Sequence, residues 1–377
     1  MTVVRPPLMK LTCEKQLLQG AIQTAQRCAS TKSTIPVLGG ILLTATPAGL
    51  TLKATDLELA VECLIPAQVF EEGSVVAPAR YLSDLVRRLP ETDIGIELDT
   101  QTRNLVFTYG NSRFQLNTLN AEDFPLLPSV DLANALKMPQ PEFKELVRKV
   151  GAAASADPIR PIFTGILCEF NDGVLTMVAT DTHRLTRKRM TLENSIGGVN
   201  PVIIPNRALQ ELSRLLKDED SDFSIVLSSG LVAFVTDEFT LTTRPIEGKF
   251  PDYEKVIPAE FKNNISLQRL DLLATLERAA LLVSTRDGTS IVNLDIKESS
   301  LVLSSQAANL GSLREELVVE SSGEPLEIYF NARYLIDALR VIDSERVTVD
   351  FSGALSPCVI KPLPEEDYLY MLLPIRF

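Results

Sequence analysis

Two aspartates in this sequence stand at the end of the same short motif, and carboxylates can carry chemistry. Asp56 ends the Ala-Thr-Asp of LTLKATDLELA, and Asp181 ends the Ala-Thr-Asp of LTMVATDTHRL, 125 positions later. A carboxylate-based hydrolase could use both groups. A threonine and an aspartate directly after a strand also commonly form a turn or a helix cap. The motif alone leaves both interpretations open.

Other reactive groups are few. His183 is the only histidine, which argues against metal sites and nucleophilic triads because both usually need histidine. Neither G-x-G-x-x-G nor G-x-x-x-x-G-K-[ST] occurs, so nucleotide binding has no support. There is no C-x-x-C, and we expect the five cysteines to be small buried apolar residues: Cys13, Cys28, Cys63, Cys168 and Cys358. The sequence therefore predicts no cofactor and no metal, and it leaves only carboxylate chemistry open.

The chain contains three copies of one unit, and the aspartate motif belongs to this repetition. At the offset of 125, Ser30 matches Ser155, and Gly40-Ile41-Leu42 matches Gly165-Ile166-Leu167. A weaker third copy, LVSTRDGTSIVNLDIKESSLVLSSQAANLGSLREEL, has lost Ala-Thr-Asp. Later parts recur as VVAPARYLSDLVRRLP, VIIPNRALQELSRLLK and IYFNARYLIDALRVID. A hydrolase would not need a third copy without the aspartate, so triplication points to architecture.

Each copy reads as an α+β unit. Apolar residues at helical spacing alternate with period-two segments and turn signals, which predicts about two helices on a mainly antiparallel sheet per copy. The predicted helices cover residues 14–32, 80–88, 142–149, 207–217, 269–286 and 333–340. We expect three domains over residues 1–128, 129–257 and 258–377, with residues 1–8 as an upstream extension.

The charge distribution is uneven. The formal net charge is −12, which on totals alone should repel nucleic acids and membranes. The six predicted helices nevertheless sum to about +9, so the rest of the chain sums to about −21. If the helices line one surface, that surface is basic and attracts phosphates without reading bases. No aromatic side chains punctuate these helices, which argues against stacking of single strands.

Several motifs together resemble one known family. They are MKLTCEK, IPVLGGILL, ATDLELA, VATDTHRL, KFPDYEKVIP, NARYLIDAL and the terminal YMLLPIRF. In this order they resemble the bacterial DNA polymerase III β subunit, the replication sliding clamp, from about Met9 to Phe377. The resemblance implies a non-catalytic protein with three repeated DNA-clamp domains that closes as a head-to-tail dimeric ring around duplex DNA. It also implies partners: the polymerase III catalytic subunit, the clamp loader, and other polymerases and repair proteins that carry a short apolar clamp-binding peptide.

The resemblance assigns a peptide pocket and a dimer interface, and the basic charge of the predicted helices adds a set of DNA-facing residues. The partner-peptide pocket comprises Thr180, His183, Arg184, Leu185, Pro251, Val256, Asn331, Tyr334, Leu355, Met371, Leu372, Pro374, Ile375 and Arg376. The DNA-facing residues are Arg27, Lys32, Arg80, Arg148, Lys149, Arg160, Arg207 and Arg214. The dimer interface contains Phe114, Leu116, Leu281 and Leu282. Three positions depart from the family pattern, because Thr182 replaces a glycine, Lys255 an arginine and Phe377 a leucine.

Two alternatives to a clamp remain from the residues themselves. One is the carboxylate hydrolase, and the other is a tandem-repeat scaffold that does not bind DNA, which would not need basic helices. Neither a run of about 18 apolar residues nor a signal peptide is present, so we expect a cytoplasmic protein. Stimulation of long primer extension in the presence of a clamp loader would separate the clamp from both alternatives.

Overall fold

The computed structural model describes residues 9–30, 32–99, 102–133, 135–192, 200–228, 230–282 and 290–376. Its helices are α1 (Lys15–Gln26), α2 (Ala79–Val86), α3 (Gln140–Gly151), α4 (Asn206–Leu215), α5 (Arg269–Ala279) and α6 (Ala332–Val341). Its strands are β1 (Lys10–Glu14), β2 (Gly40–Thr46), β3 (Gly49–Thr55), β4 (Leu59–Ile65), β5 (Gln68–Glu71), β6 (Gly73–Pro78), β7 (Asp93–Asp99), β8 (Asn104–Tyr109), β9 (Ser112–Asn117), β10 (Leu136–Pro139), β11 (Gly165–Asn171), β12 (Val174–Thr180), β13 (Arg184–Thr191), β14 (Val202–Pro205), β15 (Asp222–Ser228), β16 (Leu231–Val235), β17 (Phe239–Thr243), β18 (Asn263–Gln268), β19 (Ile291–Ile296), β20 (Ser300–Ala307), β21 (Gly311–Val318), β22 (Glu320–Ser322), β23 (Leu326–Asn331), β24 (Arg346–Phe351), β25 (Cys358–Leu363) and β26 (Tyr368–Leu372).

The chain forms two compact units. Unit 1 comprises Met1–Pro141 and Arg214–Pro245, and unit 2 comprises Glu142–Ser213 and Ile246–Phe377. Unit 1 holds a five-stranded sheet of order β5-β1-β7-β8-β9 and an eight-stranded sheet of order β10-β15-β16-β17-β4-β3-β2-β6. Helix α1 buries Leu18, Ile22 and Ala25, spaced three and four residues apart along one helix face.

Unit 2 has the same plan with different strands. Its nine-stranded sheet has the order β14-β11-β12-β13-β26-β25-β24-β18-β22, and its four-stranded sheet has the order β21-β20-β19-β23. Helices α5 and α6 pack on a core that includes Leu276, Phe330 and Tyr370. Each large sheet joins strands from two successive sequence repeats, β4 with β17 in unit 1 and β13 with β26 in unit 2.

The predicted fold class is confirmed, while the ends of four helices were predicted too far along the chain, α2 and α4 by two residues each and α1 and α5 by more. Every strand pair among the described residues is antiparallel, and each sequence repeat carries two of the six helices. Helix α1 ends at Gln26, so Lys32 lies outside it. Helix α5 ends at Ala279, so Leu281 and Leu282 follow it. Arg286, which the sequence placed in that helix, lies outside the described residues.

These shorter helices carry less charge than the sequence predicted. Within the observed bounds they contain eleven basic and seven acidic residues, a net of +4. Several of the basic groups also form ion pairs, such as Arg340 with Glu277. Much of the predicted positive charge therefore lies on the turns that follow the helices. No helix in the described ranges is long and apolar enough to cross a membrane.

Candidate functional site

The Ala-Thr-Asp motif of unit 2 forms the turn that joins β12 to β13. The Thr180 hydroxyl donates to the Arg184 carbonyl at 2.7 Å, and the backbone N–H of Thr182 donates back to that hydroxyl at 3.1 Å. The Asp181 carboxylate accepts from the backbone N–H groups of His183 and Arg184 at 2.9 and 3.0 Å. Side chains thus satisfy the backbone of a tight turn, which is an ordinary use of threonine and aspartate.

The motif of unit 1 makes the same bonds. The Thr55 hydroxyl donates to the Leu59 carbonyl at 3.0 Å and accepts from the Leu57 N–H at 2.9 Å. Asp56 accepts from the N–H groups of Glu58 and Leu59 at 3.1 and 2.9 Å. The repeated aspartate therefore has a structural role in both units, and the turn interpretation of the motif is confirmed.

Arg184 anchors the turn of unit 2 to the neighbouring elements. Its Nε donates to Asp181 at 2.9 Å, and its Nη1 donates to Asp337 at 2.6 Å and to the Tyr370 hydroxyl at 2.9 Å. The guanidinium carbon lies 4.5 Å from the centre of the Tyr334 ring. Burial opposes the charge of Arg184, but Tyr370, Asp337 and Asp181 overcome it and raise its pKa. Arg184 therefore positions the turn rather than offering a free charge.

His183 lies exposed beside helix α6. Its ring stacks on Tyr334 with a centroid separation of 6.2 Å and an interplanar angle of 23°. Tyr334 lies in the first turn of α6, where the Asn331 side chain caps the helix by accepting from the Arg333 N–H at 3.0 Å. The stacked pair presents a flat aromatic surface next to the turn.

The C-terminal tail continues past β26 along the same surface. Strand β26 ends at Leu372, as Pro374 predicts, because proline cannot donate to a strand ladder. The Leu373 N–H donates to the His183 carbonyl at 2.9 Å, and the Ile375 N–H donates to the Tyr329 carbonyl at 2.8 Å. Arg376 Nη2 donates to the Leu355 carbonyl at 3.1 Å. Two backbone bonds and one side-chain bond thus hold the tail, while Phe377 lies outside the described residues.

An apolar floor lies beneath the turn and the tail. Leu185 and Met371 are buried together with Val359, Phe250 and Tyr253. Around this floor Val256 and Leu355 are at least half exposed. We call this surface, from His183 through Val256 and Leu355 to the tail, the unit 2 groove.

One residue of the predicted pocket set does not belong to the groove. Leu372 is fully buried in the other core, with Leu276 and Phe330, because successive strand residues face opposite sides of a sheet. Its inclusion was wrong. The remaining members of the set lie in the turn and the start of β13, in the Pro251–Val256 segment, at the start of α6, at Leu355, in β26 or in the tail. The structure brings them into one unit.

The predicted DNA-facing set contains one clear error. Lys149 is only 2% exposed, and its ammonium contacts Glu145 at 2.7 Å and Glu366 at 2.9 Å. Burial alone would lower the pKa of Lys149, but these carboxylates raise it. The residue is a buried ion-pair centre and cannot reach a phosphate. The other seven members are exposed: Arg27, Lys32, Arg80, Arg148, Arg160, Arg207 and Arg214.

The predicted interface residues lie at open edges of the two units. Phe114 and Leu116 belong to β9, the edge strand of the five-stranded sheet, and Phe114 is exposed. Leu281, two residues beyond the end of α5, is 74% exposed, and Leu282 is half-buried. No group of three or more metal-ligating side chains occurs in the ranges that the structure describes.

Three family models together match most of the chain. The N-terminal domain of the DNA polymerase III beta subunit matches residues 9–128, the central domain matches 137–252 and the C-terminal domain matches 254–376. The chain belongs to the DNA polymerase III beta subunit family. Family membership makes it a sliding clamp, a non-catalytic processivity factor of the polymerase holoenzyme, and it excludes the hydrolase alternative.

Individual relatives agree over nearly their full length. The beta sliding clamp of Staphylococcus epidermidis is 30% identical over 98% of this chain and 100% of its own. The sliding clamp of Bacillus subtilis has a TM-score of 0.94 at 30% identity, covering 98% of this chain and 99% of that one. A Pseudomonas aeruginosa clamp solved bound to griselimycin has a TM-score of 0.91 at 30% identity, covering 98% of this chain and 100% of that one.

Sequence reasoning missed part of the network that holds the groove. Asp337, Tyr370 and Tyr329 support Arg184 and the tail, but none was in the predicted set. Asp337 follows Tyr334 by three residues in α6, and this spacing places both on one helix face. That signal was available in the sequence. The role of Tyr329 depends on its backbone carbonyl, for which residue type gives no signal.

Thr182, at a position where the resemblance predicts glycine, adopts a backbone conformation that suits glycine. Its φ is +79°, in the left-handed region that is unfavourable for a β-branched residue. Leu57 occupies the same place in the turn of unit 1, with a φ of +80°. Thr182 therefore adopts, within the Thr180–Arg184 turn, a backbone conformation that only glycine adopts without strain.

Thr182→Gly is expected to raise the free energy of unfolding by about 0.5–1 kcal/mol. Relief of roughly 1–2 kcal/mol of left-handed strain exceeds the roughly 0.5–1 kcal/mol that glycine loses in backbone entropy. Urea unfolding followed by circular dichroism measures the change. Thr182→Ala is the matched control, since it keeps the Cβ and should gain nothing. An equal gain in both variants would contradict the strain argument.

Proposed function

We propose that this clamp closes as a head-to-tail homodimer around duplex DNA and tethers the polymerase through the unit 2 groove. The observation that carries the proposal is a pair of open sheet edges. Strands β4 and β13 are equivalent in successive repeats, and each joins its sheet to the end strand of the next repeat, β17 or β26. The third copies of these strands are β21 and β9, and each lies at the edge of its sheet.

An edge strand exposes unpaired backbone groups that favour pairing with another strand. If β21 of one chain pairs with β9 of another, the third junction repeats the two that exist within the chain. Two chains then contain six equivalent junctions, and head-to-tail contacts that close give a ring. In this ring, β21 and β9 of one chain each pair with the second chain and not with each other.

The existing junctions also fix the register of the proposed one. Leu59 pairs with Thr243 in unit 1, and Arg184 pairs with Leu372 in unit 2. The strand registers of the three repeats make Gly311 equivalent to Leu59 and Arg184, and Leu116 equivalent to Thr243 and Leu372. The corresponding pair at the proposed junction is therefore Gly311 with Leu116 of the second chain. Two residues further along, Leu313 faces Phe114, so apolar side chains meet across the junction.

The end of α5 lies beside this edge. Arg278 Nε donates to Glu315 of β21 at 2.7 Å, and the Thr275 hydroxyl donates to the same carboxylate at 3.0 Å. Leu281 follows Arg278 by three residues, so its exposed side chain lies near the open strand. This supports the proposed contact of Leu281 and Leu282 with Phe114 and Leu116 of the second chain.

We propose that the groove takes a short extended peptide with leucine or phenylalanine anchors. Such peptides would come from the polymerase III catalytic subunit, the clamp loader and other polymerases and repair proteins, all in the cytoplasm. The support is an apolar floor flanked by an aromatic pair and a tail held by its backbone, since buried anchors dominate peptide binding. The Pseudomonas aeruginosa clamp, which was solved with a bound ligand, lends further support.

The salt dependence of DNA affinity tests the proposed binding of duplex DNA. Exposed basic groups should hold phosphates without sequence preference, so each neutralised phosphate contributes about −0.9 to the slope of log affinity against log salt. Lys32→Ala and Arg160→Ala together should make the slope less steep by about 1–2 for duplexes of unrelated sequence. Lys149→Met is the control and should leave the slope unchanged. A sequence-specific footprint that is insensitive to salt would contradict this account.

A further inference from the structure

The four-stranded sheet of unit 2 carries an open cavity of about 500 Å³. Strands β19, β20, β21 and β23 all contribute to its lining. Among the described residues that line it, Arg314 is charged, and the others have hydroxyl, amide or apolar side chains. A guanidinium group beside polar donors, without a carboxylate in the lining, favours an anion. We call this surface the unit 2 sheet cavity.

Arg314 points away from the helices. Its neighbour in β21, Glu315, accepts hydrogen bonds from Thr275 and Arg278 of α5. Successive residues of a strand face opposite sides of the sheet, so Arg314 lies on the face that is turned away from α5. Arg314 is exposed there, opposite Ser304 of β20. A ring whose helices face the duplex would therefore keep Arg314 away from the DNA phosphates.

The proposed junction between two chains brings a second arginine to this face. In the register that pairs Gly311 with Leu116 of the second chain, Arg314 lies opposite Arg113 of the second chain. Both arginines are exposed in the single chain. Directly opposite side chains have Cβ atoms about 4.5–5.5 Å apart, and like charges at that separation destabilise a strand pair.

The two junctions within the chain have no like-charged pair at the equivalent place. Glu62 lies opposite Thr240 in unit 1, and Arg187 lies opposite Leu369 in unit 2. The junction between chains thus contains a repulsion that the other two lack. A counter-charge between its two guanidinium groups would remove that repulsion.

The carboxylates of this sheet supply only part of the counter-charge. Glu316 follows Arg314 by two residues, so it lies on the same face, but it does not line the unit 2 sheet cavity. One carboxylate against two guanidinium groups leaves a net positive charge. Glu327 of β23 is already engaged, since it accepts from Asn293 and from Tyr329 at 2.8 Å each.

We propose that the unit 2 sheet cavity, completed by Arg113 of the second chain, binds a phosphate group that bridges the two arginines and strengthens the junction between chains. Guanidinium groups bind phosphate oxygens through paired hydrogen bonds. The side chains of Ser304, Gln306 and Ser312 line the same cavity and can donate further hydrogen bonds. The proposal rests on the proposed head-to-tail dimer and adds an anion to each of its two junctions.

The test compares dimer dissociation in chloride and in phosphate at equal ionic strength, measured by sedimentation equilibrium of the full chain. The pH is slightly alkaline, where phosphate carries two charges. Because phosphate binds the closed junction, about 10 mM phosphate should lower the dimer dissociation constant by about tenfold. Arg314→Ser and Arg113→Ser should each remove this response. Arg333→Ser, a change at an exposed arginine of α6, is the control and should keep it.

A charge reversal tests whether the two arginines meet. Arg314→Glu places a carboxylate opposite Arg113 of the second chain, so the dimer should become about threefold to tenfold tighter in chloride and lose its response to phosphate. A weaker dimer in that variant would overturn the proposal. A nucleoside monophosphate used in place of phosphate separates two sources: equal tightening supports a phosphate ester as the ligand, and tightening by inorganic phosphate alone supports the free ion.

The remaining outcomes separate this proposal from the proposed function. A dimer whose dissociation constant is the same in chloride and phosphate would overturn the phosphate site and leave the dimer intact. An equal phosphate response in Arg314→Ser would place the anion elsewhere and also overturn it. A monomer in both salts would contradict the head-to-tail dimer as well.

Discussion

Replacing Leu281 and Leu282 together by alanine is expected to convert the dimer into monomers. Leu281 is largely exposed in the single chain, so the proposed interface is where it would be buried. Loss of two buried leucines costs roughly 4–10 kcal/mol at each junction. At about 1.4 kcal/mol per tenfold, even the lower value weakens each junction roughly a thousandfold.

Sedimentation equilibrium measures this change as a fall from twice the chain mass to the 41.5 kDa of one chain. Leu270→Ala is the matched control, because Leu270 is also exposed but lies at the opposite end of α5. That variant should stay dimeric. An unchanged dimer in the double variant would show that the interface lies elsewhere.

Deleting residues 375–377 is expected to remove peptide and polymerase binding at the unit 2 groove while leaving the dimer and its melting temperature nearly unchanged. The deletion removes the Arg376 bond to Leu355, the Ile375 bond to the Tyr329 carbonyl and the apolar side chain of Ile375. Loss of a main anchor contact weakens binding by at least about 2 kcal/mol, or roughly thirtyfold. Few contacts of the sheet are lost, since β26 ends at Leu372.

A fluorophore attached near the unit 2 groove reports peptide binding at that groove. The described native cysteines are all buried, and burial raises the pKa of Cys13 and Cys63 to about 12, so they stay unreactive near neutral pH. An exposed cysteine introduced by Ala354→Cys can therefore be labelled selectively. Leu310→Ala, a change at an exposed leucine of the same unit, is the control for the deletion and should leave peptide affinity unchanged. Peptide affinity within twofold of the full-length protein would place the site away from the tail.

The sequence predicted features that depend on local patterns. Helical spacing located all six helices, and Pro374 predicted where the last strand ends. The triplication predicted the α+β repeats. The ends of α1 and α5 were less predictable, since neither a glycine nor a proline directly follows Gln26 or Ala279 to stop the helix.

The errors concern contacts between residues far apart in the sequence. Lys149 looked like a surface lysine because its partner Glu366 lies 217 positions away. Leu372 was placed in the groove by the resemblance, and a tail rich in apolar residues does not itself indicate which of them face outward. The pairing of β4 with β17 and of β13 with β26 is equally non-local, so no repeat pattern could have predicted that each large sheet joins two repeats.

The central claim is that the clamp holds DNA by encircling it. The direct measurement loads the protein onto a nicked circular duplex with a clamp loader, removes the loader by gel filtration, and then cuts the circle at one site. Our account predicts that the clamp co-elutes with the circle at physiological salt and is released once the DNA becomes linear. Equal retention on circular and linear DNA would contradict encirclement and indicate direct adhesion to the duplex instead.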